Sequence, residues 1–152
     1  MRNSFIAISR CLLVAWCLVG LIASHAACSR QQRYAAPPTD GDAVVIQISA
    51  LPLEVPRFYS YRAKGKIVDF FVLRMQDRAL SFLDACLTCY PRKLGYASKE
   101  GYVVCRACDT TYSVHKLEKG IGGCYPIRLE GRQEGSSYFI ARSTLERHVG
   151  KF

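Results

Sequence analysis

No apolar run in this chain is long enough to span a bilayer: Leu12 to Ala23 covers about a dozen residues, against the ~20 of a spanning helix. A permanent transmembrane anchor is therefore not expected. Tyr90 follows one Cys-x2-Cys pair and Asp109 the other, so the Cys-x2-Cys-His motif of covalent c-type haem attachment is absent. The chain also lacks a Gly-rich phosphate loop, a Ser, His and Asp arrangement and a paired-carboxylate cluster, and with them the usual machinery of phosphoryl transfer and hydrolysis. Histidine is scarce, at three residues: His25 sits at the edge of the N-terminal leader, His115 is expected in a structural surface role, and His148 on an exposed terminal helix. Acidic residues number 12 against 21 Lys and Arg, for a net charge of +9. The basic residues are scattered and no nucleic-acid motif accompanies them, so a solvated basic surface is expected and nucleic acid is not an expected partner.

The N-terminus sets the compartment. Arg2 starts it positively, the apolar stretch follows, and small residues close it at Ser24-His25-Ala26-Ala27-Cys28. This is the pattern of a secretory leader over residues 1–28, which implies a periplasmic or otherwise extracytoplasmic protein. Two processing schemes fit. One is ordinary cleavage after Ala26; the other is lipoprotein processing, with Cys28 as a lipid anchor that would make the protein membrane-associated. Losing Arg2 and Arg10 with the leader takes the net charge from +9 to +7.

What the chain has in quantity is cysteine. Of eight, Cys11 and Cys17 leave with the leader and Cys28 lies at its end, so five remain in the body of the protein. Four of these form Cys86-x2-Cys89-x15-Cys105-x2-Cys108, and Cys124 follows in Ile121-Gly122-Gly123-Cys124-Tyr125-Pro126. Two residues between cysteines let both thiolates of a tight turn reach one ion or cluster, and two such turns supply four sulfur ligands. Exported proteins more often use paired cysteines as disulfides. An x2 disulfide, however, closes too short a loop to constrain the unfolded chain much, and an odd fifth cysteine does not suit a stapling framework. The spacing therefore favours metal, with Cys86, Cys89, Cys105 and Cys108 as the cofactor-binding set and Cys124 as a further metal-site thiol. Arg92, Lys93 and Arg106 are close in sequence, where they would offset thiolate charge and steer an acidic redox partner.

The remainder reads as one domain. Residues 29–41, with Pro37, Pro38 and Asp40, have no apolar periodicity and are expected to be a flexible tether. Residues 42–152 form the Cys-rich domain, long enough for a single core. β-branched and aromatic segments recur at Val44 to Ile48, Phe58 to Tyr61, Ile67 to Leu73, Leu80 to Leu83, Tyr102 to Val104, Ile127 to Leu129 and Tyr138 to Ala141. Turn residues fall at Gly41-Asp42, Lys64-Gly65-Lys66 and Glu134-Gly135, and Ser143-x-x-Glu146 matches a capping box for a short helix through His148. The expected fold is mainly β: a small antiparallel β domain with a Cys-rich metal knuckle and a short C-terminal helix. The cysteines lie in loops or at strand ends, where backbone N–H groups can point at the sulfurs.

Asp84-Ala85-Cys86-x2-Cys89-Tyr90, Gly95-Tyr96, Gly101-Tyr102-Val103-Val104-Cys105-x2-Cys108 and Gly122-Gly123-Cys124-x-Pro126-x-x-Leu129 together resemble the FtrD-like family of membrane-associated iron-sulfur proteins. Arg57-Phe58-Tyr59-x-Tyr61 and Gly65-Lys66-Ile67-x-x-Phe70-Phe71-Val72 extend the resemblance upstream, to roughly residues 54–140. It implies a cysteine-ligated iron-sulfur or related metal centre facing the periplasm and, in some members, electron transfer in ferrous iron uptake. The implied partners are membrane redox or iron-transport components. Two positions depart from the family pattern: Tyr125 stands where Asn is usual, and Arg128 replaces the second proline of a Pro-x-Pro-Leu run. Rieske proteins offer an analogy of shape, with a cluster held between two β loops; here each loop would offer two cysteines, and all-thiolate ligation implies a lower potential.

Three functions follow from these residues: an iron-sulfur electron carrier, a non-redox module binding Zn or Cu through the same thiolates, and a thiol-disulfide protein. An electron-transfer or metal-binding protein is expected ahead of an enzyme.

Overall fold

Two strands in the middle of the chain are buried along nearly their whole length, and the architecture follows from them. The computed structural model describes residues 31–119 and 123–152; the leader, Cys28 and Gly122 lie outside the described residues. Strands β1 (Thr39–Asp40) and β2 (Ala43–Gln47) precede β3 (Arg57–Ala63), β4 (Lys66–Arg74) and β5 (Ala79–Cys86). There follow β6 (Tyr96–Lys99), β7 (Tyr102–Cys105), β8 (Thr111–Ser113), β9 (Pro126–Leu129), β10 (Arg132–Glu134) and β11 (Ser137–Ala141). A short helix, α1 (Arg142–Glu146), comes last among the regular elements, followed by a 3-10 turn at Val149–Lys151.

They form three antiparallel sheets: β1-β2-β11-β10, β3-β4-β5-β9 and β6-β7-β8. Because strand side chains alternate between faces, β4 and β5 supply two cores from opposite sides. Val68, Phe70, Val72, Leu83 and Ala85 pack with Val44, Ile46, Tyr138, Ile140 and Leu145. Phe71, Leu73, Leu80, Phe82 and Cys86 pack on the other side with Tyr96, Val103, Cys105, Tyr112 and Leu117. The second sheet is therefore the middle layer, and the near-continuous apolar runs of β4 and β5 are what burial of both faces demands. The same alternation carries Asp84 and Cys86 to the face that meets the small third sheet.

The expected fold class holds: mainly β, antiparallel, with a short C-terminal helix. All seven expected strand segments are strands, with ends shifted by a residue or more. The Lys64-Gly65 turn is a tight hairpin, closed by the Ala63 and Lys66 pair, with both central residues at positive φ. Four strands had no local signal. Thr39–Asp40 and Arg132–Glu134 are exposed throughout, while Tyr96–Lys99 and Thr111–Ser113 are short and largely polar; each exists through pairing with a neighbour.

The capping-box expectation is overturned. The helix begins at Arg142, its N-cap is Ala141, and no side chain caps it. Pairing of β11 with β2 runs through Ala141, and the Arg142 N–H donates to the Asp42 carbonyl, so the end of the sheet sets the helix start one turn position too early for Ser143. His148 lies beyond the helix and is half-buried. Within the stretch expected as a tether, Arg33 donates to the Leu94 carbonyl, the Tyr34 N–H donates to Ser60 Oγ, and the Val45 N–H donates to the Pro38 carbonyl. Among the described residues, no helix is long and apolar enough to cross a membrane.

Candidate metal centre

Cys86 is the last residue of β5 and Cys105 the last of β7, and each strand runs straight into a tight turn. Cys89 and Cys108 sit in those turns. The Thr88 and Cys89 N–H groups are aimed at Cys86 sulfur, and the Ala107 and Cys108 N–H groups at Cys105 sulfur. The two turns are thus equivalent knuckles, each offering peptide donors to its first cysteine. Arg92 links them by donating to the Ala107 carbonyl over 2.7 Å. Gly123 brings the third segment in: Thr88 Oγ1 donates to its carbonyl at 2.5 Å, and the Leu87 N–H donates to the Tyr125 carbonyl at 3.0 Å.

The sulfurs of Cys86, Cys89, Cys105 and Cys124 all lie within 4.8 Å of one another. Cys124 sits at the centre of the group, with its Sγ 3.0 Å from Cys86 Sγ, 3.1 Å from Cys108 Sγ and 3.9 Å from Cys89 Sγ. All five cysteines are free. Cys86 and Cys105 are buried, Cys89 and Cys124 half-buried and Cys108 exposed, so the group runs from the second core out to the surface. An open cleft of about 390 Å³ lined by Thr88, Cys89, Pro91, Arg92, Ala107 and Cys108 leads to the outer end. Spacing alone put Cys108 in the set of four; the separations put Cys124 there, with Cys108 beside it.

The thiols differ in proton affinity. Burial pushes Cys86 up, but bonds from the Cys124 thiol and the Cys89 and Thr88 N–H groups outweigh it and leave the thiol below its ordinary value. Cys108 falls to about 6, chiefly through its bond with Thr110 Oγ1 at 3.2 Å. Burial raises Cys89, Cys105 and Cys124, the last to about 11. A proton shared among close sulfurs is the expected state of a metal-free thiol cluster, and metal binding would release such protons.

Asp84 locks one knuckle to the other. Its side chain is fully buried; Oδ1 accepts the Tyr96 N–H at 2.5 Å and Oδ2 accepts the Tyr34 hydroxyl at 3.1 Å, with Arg33 Nη1 at 3.6 Å. Burial raises the carboxyl to about 6 from an ordinary 3.8, against the lowering effect of these donors. The folded protein therefore holds this proton more tightly than the unfolded chain. The resulting stability is full below pH 3.8 and lost as pH rises to about 6, by an amount on the order of 3 kcal/mol. Urea unfolding of the metal-free protein between pH 3.5 and 7 checks this: Asp84→Asn should flatten the decline, and an identical decline in the variant would assign it to other groups.

Sequence reading located all five thiols but not the partners of Asp84, Tyr96 and Tyr112. Tyr112 donates its hydroxyl to the Cys124 carbonyl. The one local signal for Asp84 is a carboxylate within an otherwise apolar strand. His115 pairs with Glu54 at 3.4 Å on the surface. Arg128, one of the two departures from the family pattern, bonds Glu118 and lies over the Phe82 ring at 5.3 Å.

The mainly β domain gathers five free thiols from two knuckles and a third segment, a donor set consistent with thiolate binding of a metal. The family model described as "Membrane iron-sulfur containing protein FtrD-like" matches residues 54–152, and the chain belongs to that FtrD-like family. No curated protein and no solved structure matches it.

Proposed function

We propose that the protein is an exported iron-sulfur electron carrier serving a membrane iron-handling or redox system. The observation that carries this reading is the convergence of Cys86, Cys89, Cys105 and Cys124 within 4.8 Å, with Cys108 alongside, in a chain of this family. The donor set fits such a group: it is all sulfur, with peptide N–H groups supplied to the buried sulfurs. An iron-sulfur centre bound there supplies one-electron oxidation and reduction.

The protein's own part is to hold and surround it. Cys86 and Cys105 anchor the buried side; Cys89 and Cys124 face outward toward Cys108 and the cleft, which gives an electron a short way to the surface. Arg92 lines that cleft, and it, Lys93 and Arg106 are all exposed, a set of positive charges that favours a partner with an acidic face. The leader over residues 1–28 supports a periplasmic location, and Cys28 supports a lipid anchor as one of its two processing schemes.

A second reading has its own observation. Zn–S bonds of about 2.3 Å in a tetrahedron place sulfurs about 3.8 Å apart, and four thiols within 4.8 Å suit one such ion, Zn(II) or Cu(I) included. Oxygen-free purification with metal and acid-labile sulfide analysis, visible absorption and low-temperature electron paramagnetic resonance separates the readings. Iron with sulfide and thiolate-to-iron absorption is the expected result. Colourless protein holding zinc or copper would establish the second reading, and metal-free protein with oxidised cysteine pairs would overturn both in favour of thiol-disulfide chemistry.

A further inference from the structure

Among the described residues, just two buried side-chain polar atoms lack a hydrogen-bond partner, Tyr96 Oη and Arg142 Nε. Tyr96 is 0% exposed. Its hydroxyl faces the thiol cluster: Cys86 acts on it most strongly among its neighbours, followed by Cys105 and Tyr112. The Tyr96 hydroxyl and the Cys86 sulfur already act on each other as a side-chain hydrogen-bonding pair, but the contact falls short of the geometry of a completed hydrogen bond.

The backbone holds Tyr96 there by three independent means. Its N–H is bound to Asp84, two residues before Cys86; its register partner is Cys105; and its ring meets Phe71 and Tyr112 edge-on, at 6.1 and 6.3 Å. A buried hydroxyl without a partner costs roughly 1–3 kcal/mol, so this placement needs a compensating role. A neutral thiol is a weak acceptor, whereas a metal-bound thiolate carries charge in a poorly solvated core and accepts strongly.

We infer that the Tyr96 hydroxyl is a built-in hydrogen-bond donor to Cys86 sulfur, satisfied when Cys86 is a metal-bound thiolate. Tyr96 is then a positioning residue that withdraws charge from one ligand and tunes the centre, and it never touches the metal. This inference rests on the metal-centre reading of the same cysteines and adds a residue to it.

Tyr96→Phe tests it, since the ring contacts survive and a single hydroxyl is lost. With Co(II) as the probe on the exported chain, the wild type should show thiolate-to-Co(II) charge-transfer bands. The variant should show them at lower energy, because its sulfur donates more, with an affinity about tenfold weaker. In urea, the metal-free variant should be at least as stable as the wild type, because the orphaned hydroxyl is gone. Tyr138→Phe, whose hydroxyl bonds Ser81 at 3.0 Å, is the control and should leave the bands in place. Unchanged bands and affinity in Tyr96→Phe would overturn the inference alone, as would a metal-free loss of stability that accounts for the whole change in affinity. Wild-type protein that takes up no Co(II) would overturn the metal-centre reading and this inference together.

Discussion

Cys124→Ser should abolish high-affinity metal binding, while Cys108→Ser should weaken it only about tenfold. The contrast follows from position. Cys124 Sγ lies within reach of three other sulfurs, at 3.0, 3.1 and 3.9 Å, and belongs to the set of four within 4.8 Å. Cys108 is exposed and stands outside that set, meeting it at Cys124 Sγ with the Cys89 and Cys105 thiols also in reach. Loss of an outer partner typically weakens a metal site 10–100-fold, so loss of a ligand should exceed about a hundredfold. Titration with Co(II) or Zn(II) against a chelator of known affinity reads both variants. Equal losses would show that five thiols act together; a greater loss in Cys108→Ser would restore the assignment that the doubled Cys-x2-Cys spacing gives.

The second large effect is expected at Gly95. Its φ of +68° is strained for any residue with a side chain, and a Cβ there would lie 2.6 Å from Asp84 Cγ. Alanine must displace a fully buried carboxylate from the Tyr96 N–H and from Tyr34. The left-handed backbone accounts for about 1–2 kcal/mol, and an unpaired buried carboxylate for several more. Gly95→Ala should therefore destabilise the domain by roughly 3–5 kcal/mol, a large part of the ~5–15 kcal/mol that holds a domain together. Urea unfolding, with Asp84→Ala as a second background, completes a double-mutant cycle. In that background the alanine should cost no more than the backbone strain, and an equal cost in both backgrounds would remove the steric explanation.

The second effect concerns the joint where strand β5 meets the hairpin of β6 and β7. Asp84 and Tyr96 hold it closed, and the cysteines at its ends are positioned by it. Mutations that loosen the joint should thus reduce metal affinity even though they touch no sulfur.

The sequence by itself determined the chemistry and the strand class. The five thiols, their doubled spacing and the absence of histidine beside them are local facts, and ligand type depends on which side chains are present. The aromatic run of Phe58 to Tyr61 and the apolar runs through β4 and β5 likewise declare strands, because such residues favour the pleated, buried positions of a sheet. Tertiary structure decided the rest. Residues Tyr96–Lys99 and Thr111–Ser113 are strands because β7 pairs with both, and α1 starts where β11 ends. Cys124 joins the central four because Gly123 and Tyr125 are bonded to the first knuckle. Asp84 meets Tyr96 across a gap in the chain that no spacing rule covers. Strand pairing and sulfur proximity depend on distances between segments far apart in sequence, and those distances come into being when the three layers pack.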